Sequence, residues 1–199
     1  MQLYSSPTSP FGRKVRVAAI ELGLAARIQL INITLTPVEP HAELRTRNPL
    51  GKIPALVTDE GETLYDSPVI CEYLDSLAGG GRIVPASGAH RWTALRRQAL
   101  ADGLTDAAVL VRYEQAVRPA SLQWREWVEG QFLKVRTALD ALETERLESF
   151  DIGALSVACA LGYLDFRFPA EQWRERRPRL AAWYATACGR PSLTATRPG

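Results

Sequence analysis

Residues 48–56 of this 199-residue chain read Asn-Pro-Leu-Gly-Lys-Ile-Pro-Ala-Leu, and they lead into a strand on which the predicted fold depends. The proline and the glycine in the first half of this stretch are turn residues. From Pro54 onward the sequence is apolar as far as Val57, and an acidic, glycine-containing loop follows. A short apolar run between turn signals is typical of a buried strand, so we predict a strand introduced by an Ile-Pro turn.

Upstream of this turn, the pattern is strand, helix, strand. Residues 2–5 are a strand candidate, and Ser9 and Pro10 then start a helix, because serine suits the N-cap and proline the first helical position. Gly23 supplies the helix stop, and the β-branched run at residues 28–33 is the second strand. Two such strands around a helix imply a βαβ unit with a right-handed crossover.

A polar segment of weak helical character precedes the turn at residues 41–47, and a hairpin and a third helix follow it. The hairpin pairs residues 55–58 with residues 63–65 across the acidic loop. A second Ser-Pro pair then repeats the helix-start pattern, with Ser67 as the predicted N-cap, and the helix runs to Leu77. This order predicts a small mixed sheet with helices on its faces.

The composition changes near residue 80, where a Gly-rich stretch begins, and all five tryptophans fall after residue 90. No later segment has the pattern of a strand. Helical patterns separated by prolines occupy residues 90–117, 121–145, 151–164 and 176–188. We therefore predict an α/β plus all-α architecture, with an α/β domain at residues 1–78, a linker at 79–89 and an all-α domain at 90–199.

The composition excludes several classes of protein. With 46% hydrophobic residues, 23% charged residues and a formal net charge of +2, the chain is an ordinary globular protein without a footprint for nucleic acid. Three scattered cysteines and two histidines argue against a disulfide framework, a histidine-rich metal site and a Ser-His-Asp triad. No apolar stretch approaches the roughly 20 residues of a membrane span. We expect a cytoplasmic protein with no metal, nucleic acid or membrane among its partners.

Four segments of the first domain, in their order and spacing, resemble the thioredoxin-like domain of bacterial, serine-type cytosolic glutathione S-transferases: residues 9–16, 48–56, 64–67 and 70–74. In the second domain, the buried sixth helix, the closing helix and the tail of that family are resembled by residues 151–165, 177–183 and 190–192. Each motif is weak alone, whereas their joint order is specific. The resemblance implies the glutathione S-transferase fold, a thioredoxin-like domain followed by a helical substrate-binding domain, with glutathione as cosubstrate and no metal.

Ser9 is the residue to which the resemblance assigns catalysis, because the family's thiol-activating hydroxyl stands at this position. From the local sequence alone, Ser9 is only an N-cap, but a hydroxyl can accept from a helix N–H and still donate to a sulfur. A hydrogen bond to a charged group and a helix N-terminus would together lower a thiol pKa of about 8.5 by about one to two units. Ser5, Ser6 and Thr8 remain alternatives, since the serine-rich strand end leaves the register open.

The resemblance also assigns glutathione binding to Phe11, Ile53 and Pro54. In thioredoxin-like folds the proline before the third strand is cis, so we expect a cis Ile53–Pro54 bond, although only about 5–6% of X–Pro bonds in folded proteins are cis. Such a turn exposes the backbone of Ile53, which can pair with the cysteinyl residue of a tripeptide like an added strand. An ordinary loop proline is the alternative.

Asp66, Ser67 and Lys52 complete the glutathione site that the resemblance implies. Free N–H groups at the helix start suit the γ-glutamyl carboxylate, and Asp66 offers a negative charge to the neighbouring ammonium group. Many family members carry the longer Glu at this position. Lys52 is a candidate partner of the glycyl carboxylate. An ordinary helix cap and a solvated turn lysine are the alternatives.

In the helical domain, Asp102, Asp106 and Tyr113 fall roughly on one face of the first long helix, at separations of four and seven. The family borders its substrate cleft with this helix, so the three are weak candidates for the substrate pocket, and a solvated face is the alternative. Asp151 matches the family's capping-box acid, but Glu148 stands where the box needs Ser or Thr. Cys71 and Cys159 are predicted core residues.

We predict a glutathione transferase that joins the glutathione thiolate to small electrophiles, a detoxification-type reaction, in a homodimer like those usual for the family. Two alternatives stay open. One is a non-catalytic, glutathione-transferase-like protein that acts through interactions, and the other is a glutathione-dependent isomerase or peroxidase. The identity of the electrophile cannot be read from the sequence, because no motif fixes the helical-domain pocket.

Overall fold

The computed structural model describes residues 1–198, and its first half contains a four-stranded mixed sheet. The strands are β1 (Gln2–Ser5), β2 (Gln29–Asn32), β3 (Ala55–Val57) and β4 (Thr63–Leu64), in the spatial order β2-β1-β3-β4. β1 is parallel to β2 and antiparallel to β3, which is antiparallel to β4. The helices of this half are α1 (Pro10–Glu21), α2 (Ala42–Arg47) and α3 (Ser67–Leu77). The predicted thioredoxin-like order is confirmed.

Three strand ends meet at one end of this sheet. Because β3 is antiparallel to β1, with Ala55 opposite Tyr4, the start of β3 lies beside the end of β1. β4 is antiparallel to β3, with Leu64 opposite Leu56, so β4 finishes at the same end of the sheet. The β1–α1 turn, the turn before β3 and the start of α3 therefore come together.

The second half is helical, as predicted, and its helices are α4 (Gly88–Ala116), α5 (Arg125–Thr144), α6 (Ile152–Arg167), α7 (Pro178–Ala187) and α8 (Pro191–Ala195). α6 is the centre of the core, with an unbroken run of buried residues from Ile152 to Leu164. The patterns did not separate α8 from the tail, and a short 3₁₀ turn at Ala120–Leu122 replaces the predicted start of α5. The division at residues 78 and 90 stays a prediction.

Two glycines let α6 approach its neighbours closely. A Cβ on Gly153 would lie 2.7 Å from the carbonyl oxygen of Ala94, so the first turn of α6 packs directly on α4. A Cβ on Gly162 would collide with the guanidinium of Arg13, which brings the first turns of α1 against the second half of α6. The sheet-bearing half and the helical half therefore meet on α6.

α1 runs antiparallel to α6. The end of α1 lies beside the linker, where the guanidinium of Arg82 donates to the carbonyl of Leu22 over 3.1 Å. The next residue, Ile83, accepts a 2.8 Å hydrogen bond from the N–H of Ile152 at the start of α6. Because the start of α1 packs on the second half of α6 instead, Ser9 lies toward the C-terminal end of α6.

Two helix caps differ from the predicted ones. Asp66 is the N-cap of α3 and Ser67 the first helical residue, so the predicted cap is wrong by one residue. Proline fits the second helical position as well as the first, since neither N–H would be bonded, and a Ser-Pro pair therefore does not fix the register. Asp151 is not a capping-box acid but the N-cap of α6, whose carboxylate accepts from the N–H of Ala154 at 3.0 Å.

Candidate active site

Ser9 is the N-cap of α1, as predicted. Its Oγ accepts a hydrogen bond from the N–H of Gly12 over 3.0 Å, and Pro10 follows at the start of the helix. The hydroxyl hydrogen has no acceptor within residues 1–198. Because Ser9 is only half-buried, this hydrogen is available to a ligand at the positive end of the helix.

The neighbouring hydroxyls are placed differently. Ser5 is 1% exposed and packs against Gly12, where a Cβ would collide with its Oγ. Ser6 and Thr8 share a hydrogen bond of 3.2 Å with each other. Ser9 therefore differs from these three alternatives because it alone among them caps α1 with its side chain.

The Ile53–Pro54 peptide bond is cis, as predicted. The buried Asn48 holds this turn, since its amide donates to the carbonyl of Lys52 over 2.8 Å and its Oδ1 accepts from the N–H of Leu50 over 3.1 Å. The N–H and the C=O of Ile53 make no hydrogen bond within residues 1–198. An extended peptide can therefore pair with Ile53 as an added strand.

The start of α3 is open. Asp66 is exposed and its carboxylate makes no capping hydrogen bond. Ser67 is only 2% exposed, yet neither its backbone N–H nor its hydroxyl has a partner within residues 1–198. Unpaired N–H groups at a helix N-terminus attract anions, so this end of α3 can bind a carboxylate.

Lys14 and Asp102 form an ion pair that joins α1 to α4. The ammonium of Lys14 lies 2.8 and 2.7 Å from the two oxygens of Asp102, and Lys14 is 1% exposed. Removal from water raises the pKa of Asp102, and the charge of Lys14 opposes this increase. The ring of the half-buried Phe11 lies 5.9 Å from the same ammonium, within the range of a cation–π contact.

Asp106 and Asp102 form an acidic cluster, one turn apart on α4. The side chain of Asp106 is exposed, but partial shielding from water raises its pKa, and the negative charges of Asp102 and Asp66 add to the effect. The positive charge of Lys52 opposes it. Lys52 and Asp66, from the sheet-bearing half, are therefore close enough to α4 for their charges to influence the pKa of Asp106.

Tyr113 stands apart from this cluster. At about 1.5 Å per residue it lies about 10 Å beyond Asp106 along α4. It is half-buried, and burial raises the pKa of its hydroxyl. Ser9, Phe11, Lys52, Ile53, Pro54, Asp66 and Ser67 therefore lie on the turns and helix starts at this sheet end, Asp102 is joined to α1 through Lys14, and Tyr113 is farther along α4.

Comparison with known proteins decides the family. Residues 8–77 match the family model for the glutathione S-transferase N-terminal domain, and residues 125–186 match that for the C-terminal domain. The whole chain is 34% identical to the "Uncharacterized GST-like protein YibF" of Escherichia coli K12, and the match covers 98% of that protein. The chain belongs to the glutathione S-transferase family.

Solved structures agree with this glutathione S-transferase fold. A glutathione transferase family member from Pseudomonas fluorescens Pf-5, crystallised with bound glutathione, is 50% identical with a TM-score of 0.97 over 100% of this chain and 98% of that one. A second structure from the same organism, with bound S-(propanoic acid)-glutathione, is 49% identical with a TM-score of 0.92 over 100% of both chains. Glutathione is the cosubstrate of this family.

Two of the three cysteines are poor nucleophiles. Cys71 and Cys159 are buried, and burial raises their thiol pKa to about 12 and about 11. Both are core residues, as predicted. Within residues 1–198 no cluster of His, Cys, Asp or Glu is suited to a metal ion, and no helix in the described part of the chain is long and apolar enough to cross a bilayer.

Sequence reasoning missed Lys14. A charged residue in the second turn of a helix is normally exposed. The one available signal was composition, since lysine occurs three times and arginine 21 times. Lys14 contacts a residue 88 positions away, and no local pattern predicts such a contact.

Proposed function

We propose that this protein conjugates the thiolate of bound glutathione to small electrophiles. The observation that carries the proposal is the convergence, at one end of the sheet, of a capped hydroxyl, an unpaired peptide turn and an open helix start. The three features complement the sulfur, the cysteinyl backbone and the γ-glutamyl carboxylate of one tripeptide. Family membership and the glutathione-bound relative from P. fluorescens support the same assignment.

The proposed pose of glutathione follows from these groups. The γ-glutamyl carboxylate accepts hydrogen bonds from the N–H and the hydroxyl of Ser67, and Asp66 receives the ammonium group. The cysteinyl backbone pairs with Ile53 at the cis Pro54. Lys52, exposed and without an ion-pair partner within residues 1–198, attracts the glycyl carboxylate.

In this pose the sulfur lies at the start of α1, beside Phe11. The hydroxyl of Ser9 donates to the sulfur while it still accepts from the helix, so the negative thiolate is favoured over the neutral thiol. The thiolate then attacks the electrophilic carbon, the new C–S bond forms, and the leaving group departs with the electron pair of its bond. Asp102, Asp106 and Tyr113 line the helical side of the cleft in which the electrophile would lie.

Two alternatives have weaker support. A non-catalytic interaction protein needs neither the free hydroxyl hydrogen of Ser9 nor the open α3 start. A glutathione-dependent isomerase or peroxidase would use the same thiolate with a different second substrate. The relative that binds S-(propanoic acid)-glutathione favours conjugation, since that ligand is a glutathione with an organic acid on its sulfur.

We also propose a homodimer, as is usual in the family, with α3 and α4 at the interface. Val69 on α3 is 47% exposed and Trp92 on α4 is 69% exposed, so both are available to contact a second copy of the chain. Light scattering coupled to size-exclusion chromatography should give twice the 22.0 kDa chain mass. A monomer at micromolar concentration would contradict this part of the proposal.

The test of the function combines binding and turnover. Isothermal titration should detect glutathione binding to the wild type, and an aryl halide should be consumed with release of halide and formation of the aryl–glutathione thioether. No binding by the wild type would favour the interaction protein. Binding without turnover of an aryl halide, an enone and a peroxide would contradict the catalytic proposal.

A further inference from the structure

Two arginines near the ends of α4 and α6 have no anionic partner. Arg112 on α4 and Arg167 at the end of α6 are half-buried, and neither donates a hydrogen bond to a carboxylate or a carbonyl within residues 1–198. The other buried or half-buried arginines of this range all donate at least one: Arg13, Arg16, Arg91, Arg97, Arg136, Arg177 and Arg190. The Nε of Arg167 is fully buried and still unpaired. Because a buried donor without a partner costs free energy, Arg167 is suited to bind an added acceptor.

The two arginines lie at the same level on adjacent helices. α6 begins against α4, where a Cβ on Gly153 would lie 2.8 Å from that of Arg97, and α6 and α4 form the most extensive helix pair of the described chain. Farther along both helices, Arg13 packs on Gly162 of α6 and the adjacent Lys14 pairs with Asp102 of α4, so the two helices run in the same direction. At about 1.5 Å per residue, Arg167 lies about 21 Å beyond Gly153, and Arg112 lies about 22 Å beyond Arg97.

This level is also that of Ser9. Arg13 packs on Gly162, and α1 runs antiparallel to α6. Ser9 precedes Arg13 by four residues and so lies about 6 Å farther toward the C-terminal end of α6. It is therefore level with the last turn of α6, which carries Arg167. The arginine pair is therefore at the same level along α6 as the position proposed for the glutathione sulfur.

Aromatic side chains surround the pair. The guanidinium of Arg167 lies 4.1 Å from the ring centroid of Phe166. Tyr113 follows Arg112 on α4, and Tyr163 precedes Arg167 by one turn of α6. The hydroxyl of Tyr163 is within hydrogen-bonding reach of the guanidinium of Arg167, whereas that of Tyr113 makes no hydrogen bond within residues 1–198. Burial raises the pKa of Tyr163 to about 12, against the charges of Arg167 and Arg112, so its hydroxyl stays a donor at neutral pH.

We propose that Arg112 and Arg167 bind a carboxylate on the electrophile and so select small electrophilic carboxylic acids as substrates. Each guanidinium presents two parallel N–H groups that match a carboxylate, and the tyrosine hydroxyls supply further donors. The aromatic rings cover the apolar part of the molecule. The arginines bind and orient, and they take no part in bond formation. This inference rests on the proposed function, because it places the ligand next to glutathione.

Two glutathione conjugates of equal length test the proposal without a reaction. S-(2-carboxyethyl)glutathione ends in a carboxylate where S-propylglutathione ends in a methyl group. Isothermal titration of the wild type should give an affinity about 10-fold or more higher for the carboxyethyl conjugate. Equal affinities, or tighter binding of the propyl conjugate, would overturn the carboxylate site while leaving glutathione binding intact. If neither conjugate nor glutathione binds, the proposed function itself fails.

Substitution of the two arginines tests whether they cause the preference for the carboxyethyl conjugate. Arg112→Gln and Arg167→Gln should each reduce the carboxyethyl preference at least threefold, and the double variant should abolish it, while the affinity for glutathione itself stays within twofold. Arg176→Gln removes an exposed charge without an ion-pair partner in the described range and should leave the preference unchanged. A preference that survives in the double variant would overturn the assignment. Unchanged glutathione affinity also establishes that each variant is folded.

Discussion

The chain contains two Ser-Pro pairs at helix starts, and the structure uses them in opposite ways. At α1, Ser9 is the N-cap, and its hydroxyl satisfies a helix N–H. At α3, Ser67 is already inside the helix, and the cap residue Asp66 makes no side-chain hydrogen bond. One helix end is therefore closed by its own side chain, and the other is open.

The two helix starts at this end of the sheet are therefore suited to different tasks. A closed helix start is stable without a ligand, so it can hold a hydroxyl in a fixed place beside a reacting sulfur. An open start retains unpaired N–H groups and is completed when an anion binds. We infer that the α1 end serves ionisation of the thiol and that the α3 end serves binding of the tripeptide.

The largest loss of stability should come from breaking the ion pair of Lys14 and Asp102, which holds the first turns of α1 against α4. Lys14→Met leaves the carboxylate of Asp102 without its buried partner, and breaking such a pair costs about 3–5 kcal/mol. Because Asp102 is partly exposed, we expect about 3 kcal/mol less free energy of unfolding in urea. Asp102→Asn in the same chain should restore much of it, and Lys134→Met, on the exposed face of α5, should cost little. A loss below about 1 kcal/mol for Lys14→Met would contradict the anchoring role.

Ser9→Ala should harm both stability and turnover. Loss of an N-cap hydroxyl costs about 1 kcal/mol of stability. Loss of its bond to the thiolate should reduce the conjugation rate at neutral pH by about 10- to 100-fold. Ser9→Thr keeps the hydroxyl and should retain most of both properties. Full activity in Ser9→Ala would contradict the catalytic role of Ser9 and would favour Ser6 or Thr8 as the hydroxyl that activates the thiol.

Ser67→Ala should leave the stability nearly unchanged and weaken the binding of glutathione. Because the Ser67 hydroxyl bonds no protein group within residues 1–198, its removal should leave the unfolding free energy within about 0.5 kcal/mol of the wild type. The dissociation constant for glutathione should increase about 10-fold, as one charge-assisted hydrogen bond is lost. Ser76→Ala, at the other end of α3, is the matched control. An unchanged affinity would mean that the open end is not the carboxylate site.

The smallest effect concerns Asp106 on α4. Its pKa is raised in the folded protein, so the folded state holds this proton more tightly than the unfolded chain does. The resulting stability is present at pH values below the ordinary carboxyl pKa and is lost as the pH rises through the raised value. Asp106→Asn does not titrate, so its Tm relative to the wild type should increase across that interval and then level off. If the Tm of Asp106→Asn falls relative to that of the wild type as the pH rises, this prediction is contradicted.

Much of this site was predictable because its signals are local. A Ser-Pro pair marks a helix start, and an Ile-Pro turn before an apolar run marks the entry to β3. The resemblance then supplied the order in which these segments meet. The register of α3 was not predictable, because proline fits either of the first two helical positions. The predicted helix therefore began one residue too late, with Ser67 as its N-cap instead of Asp66.

The groups that sequence reasoning missed are those whose partners are distant in the chain. Lys14 contacts Asp102 across the boundary between the two halves. Arg167 lies at the same level as Arg112 only because α4 and α6 run side by side. No propensity or spacing encodes such pairs. Asp151 is a related case. It matched the family's capping-box acid, but in the structure it is itself the N-cap of α6 and accepts a hydrogen bond from the N–H of Ala154.

The most direct test of the division between the two helix ends is the pKa of the bound glutathione thiol, measured by ultraviolet absorbance of the thiolate across a pH series. Free thiols titrate near a pKa of about 8.5, and we expect the thiol bound to the wild type to titrate about one to two units lower. At saturating glutathione, Ser67→Ala should keep the lowered pKa, and Ser9→Ala should lose most of the shift. A wild-type thiol that titrates like free glutathione would contradict the account.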